Sequence, residues 1–133
     1  MKRLGKKSGI AAASVTAALL GGLVAAAPAW AGTPGGCPEP SVSLTNSSSG
    51  YLTGKGTASC SKTVSSTLYI EIKWDKNLLP DPLTAKNSQT GSRKSWNATV
   101  GTCDNGNRRS YYARSYWTGG KYHDTTGRHI TAC

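Results

Sequence analysis

The stretch TLYIEIKW, residues 67–74, alternates without a break. Leu68, Ile70, Ile72 and Trp74 fall on one side; Tyr69, Glu71 and Lys73 fall on the other. A period of two sends successive side chains to opposite faces, so this is a strand with one face against a core. The same period extends outward from it. Val42 and Leu44 share a face in SVSLT, and Leu52, Ala58 and Cys60 alternate with polar residues in YLTGKGTASC. Gly54 and Gly56 lie in that inner row, which predicts a bulge or a close approach of backbone. SWNATVGT brings Trp96, Ala98 and Val100 to one side, SYYARSYW forms a further strand, and RHITAC closes the chain with Ile130 and Ala132. Between these lie NLLPDPL, where Pro80 and Pro82 forbid a central strand and leave an edge segment or loop. The turn signal Asn105-Gly106 and the loop TGGKYHDTTG separate the rest. No helical period occurs beyond the N-terminal region. The expectation is an all-β domain, a sandwich of about seven short strands, with a small barrel as the alternative.

The N-terminus reads differently. Lys2, Arg3, Lys6 and Lys7 precede a mostly apolar run and the small-residue site Ala29-Trp30-Ala31. That order is a secretory signal peptide over residues 1–31, which predicts an extracellular protein with no membrane span after cleavage. The Gly/Pro-rich residues 32–40 form a flexible lead-in tied down at Cys37, and residues 41–133 form the domain. Removing the leader's four cations lowers the net charge from +10 to +6. Such a balance favours acidic partners. The positive residues are scattered, however, which argues against a dedicated nucleic-acid site.

In SYYARSYW, residues 110–117, one row is Tyr111, Ala113, Ser115 and Trp117; the other is Tyr112, Arg114, Tyr116 and Thr118. Arginine is almost never buried alone. Arg114 therefore labels the second row as outward and sends Tyr111 and Trp117 into the core, with Ala113 leaving room for a neighbour such as Trp74.

Cys60 is followed fourteen residues later by Trp74, and Tyr111-Tyr112-Ala113-Arg114 resembles the end of an immunoglobulin F strand. The chain is thus similar in plan to small secreted immunoglobulin-like β-sandwich proteins of Gram-positive, actinobacterial type. The apoproteins of the enediyne antibiotics share that plan but are acidic, and this basic chain departs from them. The immunoglobulin inter-sheet disulfide is ruled out because Ala113 stands where its second cysteine would be. The four cysteines of an exported chain still read as two bridges. With antiparallel strands, Cys37 and Cys60 lie at one end of the fold and Cys103 and Cys133 at one end. Bridging needs Cα atoms within about 4.4–6.8 Å, so the pairs expected are Cys37–Cys60 and Cys103–Cys133.

Immunoglobulin-like order would place residues 110–117 between residues 67–74 and the last strand. The outward rows then align as a tyrosine face with cationic neighbours: Tyr69, Lys73, Tyr112, Arg114, Tyr116 and His129, with Lys121 and Tyr122 on the loop at one end. Tyr and Arg are enriched where proteins bind one another; the same pairs also stabilise exposed sheets with no ligand present. Catalytic chemistry is not expected. His123-Asp124 are adjacent and lack a nucleophile in an elbow, Glu71 and Asp75 line no evident cleft, and His123, Asp124 and His129 have only generic spacing for a metal. The expectation is a secreted, non-enzymatic binding protein with no cofactor and no metal. Its partner is another protein, as for an inhibitor, a toxin-associated factor or a subunit of a secreted assembly. The lead-in is a candidate for docking by strand addition. The alternative is a binder of cell-wall or chitin-like polysaccharide, with an antimicrobial effect.

Overall fold

The computed structural model describes residues 32–133, so the expected leader lies outside the described residues. The described chain is all-β with two disulfides. Its strands are β1 (Ser41–Asn46), β2 (Leu52–Trp74), β3 (Leu83–Thr102), β4 (Arg108–Trp117), β5 (His123–Asp124) and β6 (Arg128–Thr131). All pairings are antiparallel.

β2 changes neighbours along its length. Its first part, through Ser59, lies between β1 and the end of β3; its last part, from Leu68, lies between the start of β3 and β4. The β2–β3 register shifts between Ser59 and Val64, where the exchange occurs. The sheet bends over itself there and becomes a curled half-barrel. Gly54 and Gly56 permit the closure. A Cβ on Gly54 would sit 3.1 Å from Ile72, and one on Gly56 would sit 2.8 Å from Cβ of Ser115 and collide with its hydroxyl. The close approach expected of these glycines is therefore between the two arms of the bent sheet.

Between the arms lie Leu52, Leu68, Ile70, Ile72, Trp96, Tyr111, Ala113 and Trp117, all buried. Trp96 and Trp117 meet edge to face with centroids 5.1 Å apart, the geometry that the ring quadrupoles favour. Each buried polar handle has an acceptor. Trp96 Nε1 donates to the Arg93 carbonyl, Trp117 Nε1 to the Pro38 carbonyl and the Tyr111 hydroxyl to Asp104.

The described residues hold six strands where about seven short ones were expected, because residues 61–66 and 83–94 prolong β2 and β3 around the bend. These stretches carry no apolar row. Backbone pairing and an exposed hydroxyl contact, Ser65–Ser92, join them, so hydrophobic alternation is silent there. Ala113 has Ile72 as its cross-strand partner, and Trp74 packs at the margin of the core. It pairs in register with Tyr111 at the end of the sheet, half-buried, with the Arg109 guanidinium 4.1 Å from its ring centroid.

Cys37 is joined to Cys60 and Cys103 to Cys133, the pairs that antiparallel alternation brings together. Residues 32–40 are held by more than their cysteine. Ser61 N–H donates to the Gly36 carbonyl, Trp117 donates to Pro38, and Glu39 accepts from Thr33 and meets His123 at 2.7 Å. Asn105 and Gly106 form the expected turn, with φ of 55° and 75°. Among the described residues no helix is long and apolar enough to cross a membrane.

Candidate functional site

β4 lies between the last part of β2 and β6, the neighbours the sequence implied. Its register sets Tyr69 opposite Tyr116, Glu71 opposite Arg114 and Lys73 opposite Tyr112. Paired residues share a face, so Tyr69, Glu71, Lys73, Tyr112, Arg114 and Tyr116 lie together on the side away from the core.

This face is not the open row of tyrosines expected. Tyr112 is only 7% exposed. Its hydroxyl donates to Asp81 at 2.7 Å, from the loop between β2 and β3. The Tyr116 hydroxyl donates to Glu71 at 2.5 Å, and Lys86 of β3 meets the same carboxylate at 3.5 Å. Arg114 makes a bidentate pair with Asp124 of β5, at 2.8 and 3.0 Å. A carboxylate thus meets the hydroxyls of Tyr112 and Tyr116 and the Arg114 guanidinium. Unpaired polar groups beneath covering loops would be costly, and this arrangement avoids that.

The electrostatic consequences follow. Burial, then the hydrogen bond to Asp81, raises the Tyr112 phenol well above its ordinary value; burial and Glu71 do the same for Tyr116. The bond to Asp124 raises Arg114 further. Asp81 is lowered by its bond from Tyr112 and by the Lys76 backbone N–H. Glu39 is lowered by Thr33 and then by His123.

Aromatic surface remains. Tyr69 and Tyr116 stack with centroids 5.0 Å apart, and Tyr122 meets Tyr116 edge-on at 4.8 Å. Tyr122 is 60% exposed, and the Arg114 guanidinium lies 4.2 Å from its ring centroid. Lys86 Nζ lies 4.9 Å from the Tyr69 ring centroid. Lys73 is half-buried in the same face and Lys121 is exposed on the adjoining loop. His129 is not part of this group. It pairs with Ser110 toward the other end of β4 and lines hollows with Arg108.

Beside this face rises the loop of residues 75–82, whose base is fixed at several points. Asp75 N–H donates to the Ser110 carbonyl, Trp74 N–H to the Pro82 carbonyl and Lys76 N–H to Asp81. Leu79 N–H closes a four-residue turn onto the Lys76 carbonyl. Leu78 holds the third position of that turn at φ 63° and is fully exposed, with Leu79 and Leu83 also exposed. A positive φ at that position ordinarily calls for Gly or Asn; leucine there costs on the order of 1 kcal/mol.

Sequence reasoning placed Glu71 in this outward row and weighed Asp124 beside His123, but foresaw neither as the partner of Tyr116 or Arg114; Asp81, Lys86 and Leu78 it missed. Of these only Asp81 carried a signal, an acid between two prolines in a stretch that cannot be a central strand.

His123 is engaged by Glu39 and Asp124 by Arg114, so the two neighbours do not serve each other as partners. No cluster of three metal-ligating side chains occurs among the described residues. Together the fold and the face define a class: a disulfide-stapled all-β domain presenting a fixed aromatic patch beside a strained apolar loop. No family model, curated protein or solved structure matches the chain.

Proposed function

We propose that this is a secreted, non-enzymatic binding protein whose partner is another protein, engaged by Leu78 and the adjoining Tyr69–Tyr116–Tyr122 patch. One observation carries the reading: Leu78 stands fully exposed in a left-handed conformation on a loop fixed at its base. Strain persists where surrounding structure enforces it, and such outliers cluster at ligand clamps. An apolar side chain held in place loses little freedom on docking. The partner supplies an apolar pocket with an acidic rim, because Lys73 lies in the face and Lys76 and Lys121 on the adjoining loops, while Asp81, Asp124 and Glu71 are engaged internally, Glu71 in part by Lys86. Residues 32–40 are no longer the preferred docking element, since their own chain engages them.

Two disulfides suit an oxidising, extracellular setting. The pairing supports an immunoglobulin-like sandwich within the curl. β1, the first part of β2 and the end of β3 make one layer; the start of β3, the last part of β2, β4 and β6 make the other. A second reading, binding of cell-wall or chitin-like polysaccharide, draws on the stacked Tyr69–Tyr116 pair as a platform for sugar rings.

The test uses the immobilised full mature chain and culture supernatant of its source. Leu78→Asn keeps an ordinary residue for the turn; it should leave thermal stability unchanged or raised while abolishing capture of a defined protein. Lys94→Gln, elsewhere on the surface, should retain capture. Equal capture by L78N and wild type overturns the proposal. Pelleting with insoluble chitin or cell wall that Tyr122→Ala releases and L78N does not would replace it with the second reading.

A further inference from the structure

A second hollow lies at another part of the fold and involves none of the tyrosine patch. Its volume is ≈ 520 Å³, and it is lined by the turn Asn46–Gly50, Arg108 of β4, and residues 128–131 of β6. Three features set it apart.

The first is charge. Arg108, Arg128 and His129 line the hollow and no acidic residue does. Arg128 donates to the Leu44 carbonyl at 3.3 Å and to Asn46 Oδ1 at 3.0 Å, and Arg108 reaches Thr131 Oγ1 at 3.5 Å. All of these acceptors are neutral. Among the described residues neither guanidinium meets a carboxylate, although Arg109 and Arg114 each do. Two guanidinium charges are therefore left uncompensated around one concavity.

The second is the remaining lining. Asn46, Ser47, Ser48, Ser49 and Thr131 supply amide and hydroxyl groups. Such groups hydrogen-bond to polyhydroxylated ligands, whereas guanidinium forks match the oxygens of phosphate and sulfate. The hollow has room for more than a bare anion.

The third is rigidity. Gly50, at φ 89°, lies so close to β6 that a Cβ there would collide with the Thr131 carbonyl; Cys133 N–H donates to the Gly50 carbonyl. The Cys103–Cys133 bridge fixes the next residues. The polar turn and the cationic strand are thus held against each other before any ligand arrives.

We infer that this hollow binds an anionic carbohydrate, a sugar or polyol bearing a phosphate or sulfate, with Arg108 and Arg128 holding the oxyanion and the serine turn holding the hydroxyls. The site is independent of the protein-binding reading above.

The test is an NMR titration of the mature, oxidised protein with four probes: glycerol 1-phosphate, a sulfated disaccharide, inorganic phosphate and inorganic sulfate. The expected result is saturable shifts of backbone amides at 47–50 and 128–131, with a hydroxyl-bearing probe tighter than its bare anion. Whichever of the first two binds more tightly identifies the source of the oxyanion. The R108Q/R128Q double variant should weaken binding about tenfold or more, as loss of charge-assisted bonds requires, whereas Lys94→Gln should not. Since Arg128 also ties β6 to β1, a second variant leaves every internal bond in place: Ser48→Glu, which puts a carboxylate in the hollow and should abolish binding. Shifts spread over all cationic surfaces, binding unchanged in S48E, or bare anions bound as tightly as the hydroxyl-bearing probes would each overturn the inference.

Discussion

Replacing Gly56 by alanine tests the closure of the sheet at its tightest point. The new Cβ would lie 2.8 Å from Cβ of Ser115 and collide with its hydroxyl. Carbon atoms are at ease near 3.5–4.0 Å, so the two arms must part by about 1 Å or Ser115 must turn. Neither is free. Ser115 is fully buried, and its hydroxyl donates to the Tyr69 carbonyl at 2.7 Å. Overpacking of this kind costs about 1–3 kcal/mol, and a lost buried hydrogen bond costs about 1–2 kcal/mol more. The expected loss is about 2–5 kcal/mol, or a fall in Tm of about 10–30 °C for a domain of this size. Urea and thermal unfolding of the oxidised mature protein, followed by tryptophan fluorescence, would measure it. Ser115→Gly in the same chain should recover part of the loss, giving a coupling of about 1 kcal/mol or more. Gly35→Ala, with nothing near its Cβ, serves as the control. A G56A chain within about 0.5 kcal/mol of wild type would mean that the two arms do not approach as described.

Tyr111, Tyr112 and Tyr116 are all raised above the ordinary phenol value of 10.0, burial being the main cause in each. A raised folded-state value gives stability that is present below the unfolded pKa and lost as pH rises through the folded one. Ultraviolet titration should therefore ionise Tyr111, Tyr112 and Tyr116 only in a late step, above the ordinary phenol range and accompanied by unfolding; their ionisation at the ordinary value with the fold intact would contradict the network. On the acid side, Asp81 and Glu39 are lowered, so what they contribute is present above their unfolded values and fades as pH falls through the folded ones. In an NMR titration, Tyr112→Phe should move Asp81 up toward its ordinary 3.8, and no movement would show that this bond does not form. The bridges close loops of 23 and 30 residues. Replacing either pair by serine should cost about 3–4 kcal/mol in the loop-entropy account, measured by urea unfolding. A cost near zero would point to a constrained unfolded chain.

Local pattern determined a large part of this protein. Strict alternation over residues 67–74 and 110–117 identified two neighbouring strands and the core rows, because a period of two leaves one face for an apolar interior. Parity also separated Tyr111 and Trp117 from Arg114, and antiparallel alternation paired the cysteines. Pattern was silent where a strand carries no apolar row, so residues 61–66 and 83–94 became strand through backbone pairing with neighbours distant in sequence. Only the tertiary structure decided the state of the tyrosine face. Pointing away from the core is a property of one strand, but remaining open depends on what folds over it. Asp81 comes from the loop before β3 and Asp124 from β5, 31 residues before Tyr112 and 10 after Arg114, and no short-range periodicity encodes their arrival. The exposure of Leu78 and the gathering of Arg108, Arg128 and the serine turn are of the same kind: relations between segments far apart in the chain, which exist only once the sheet has closed.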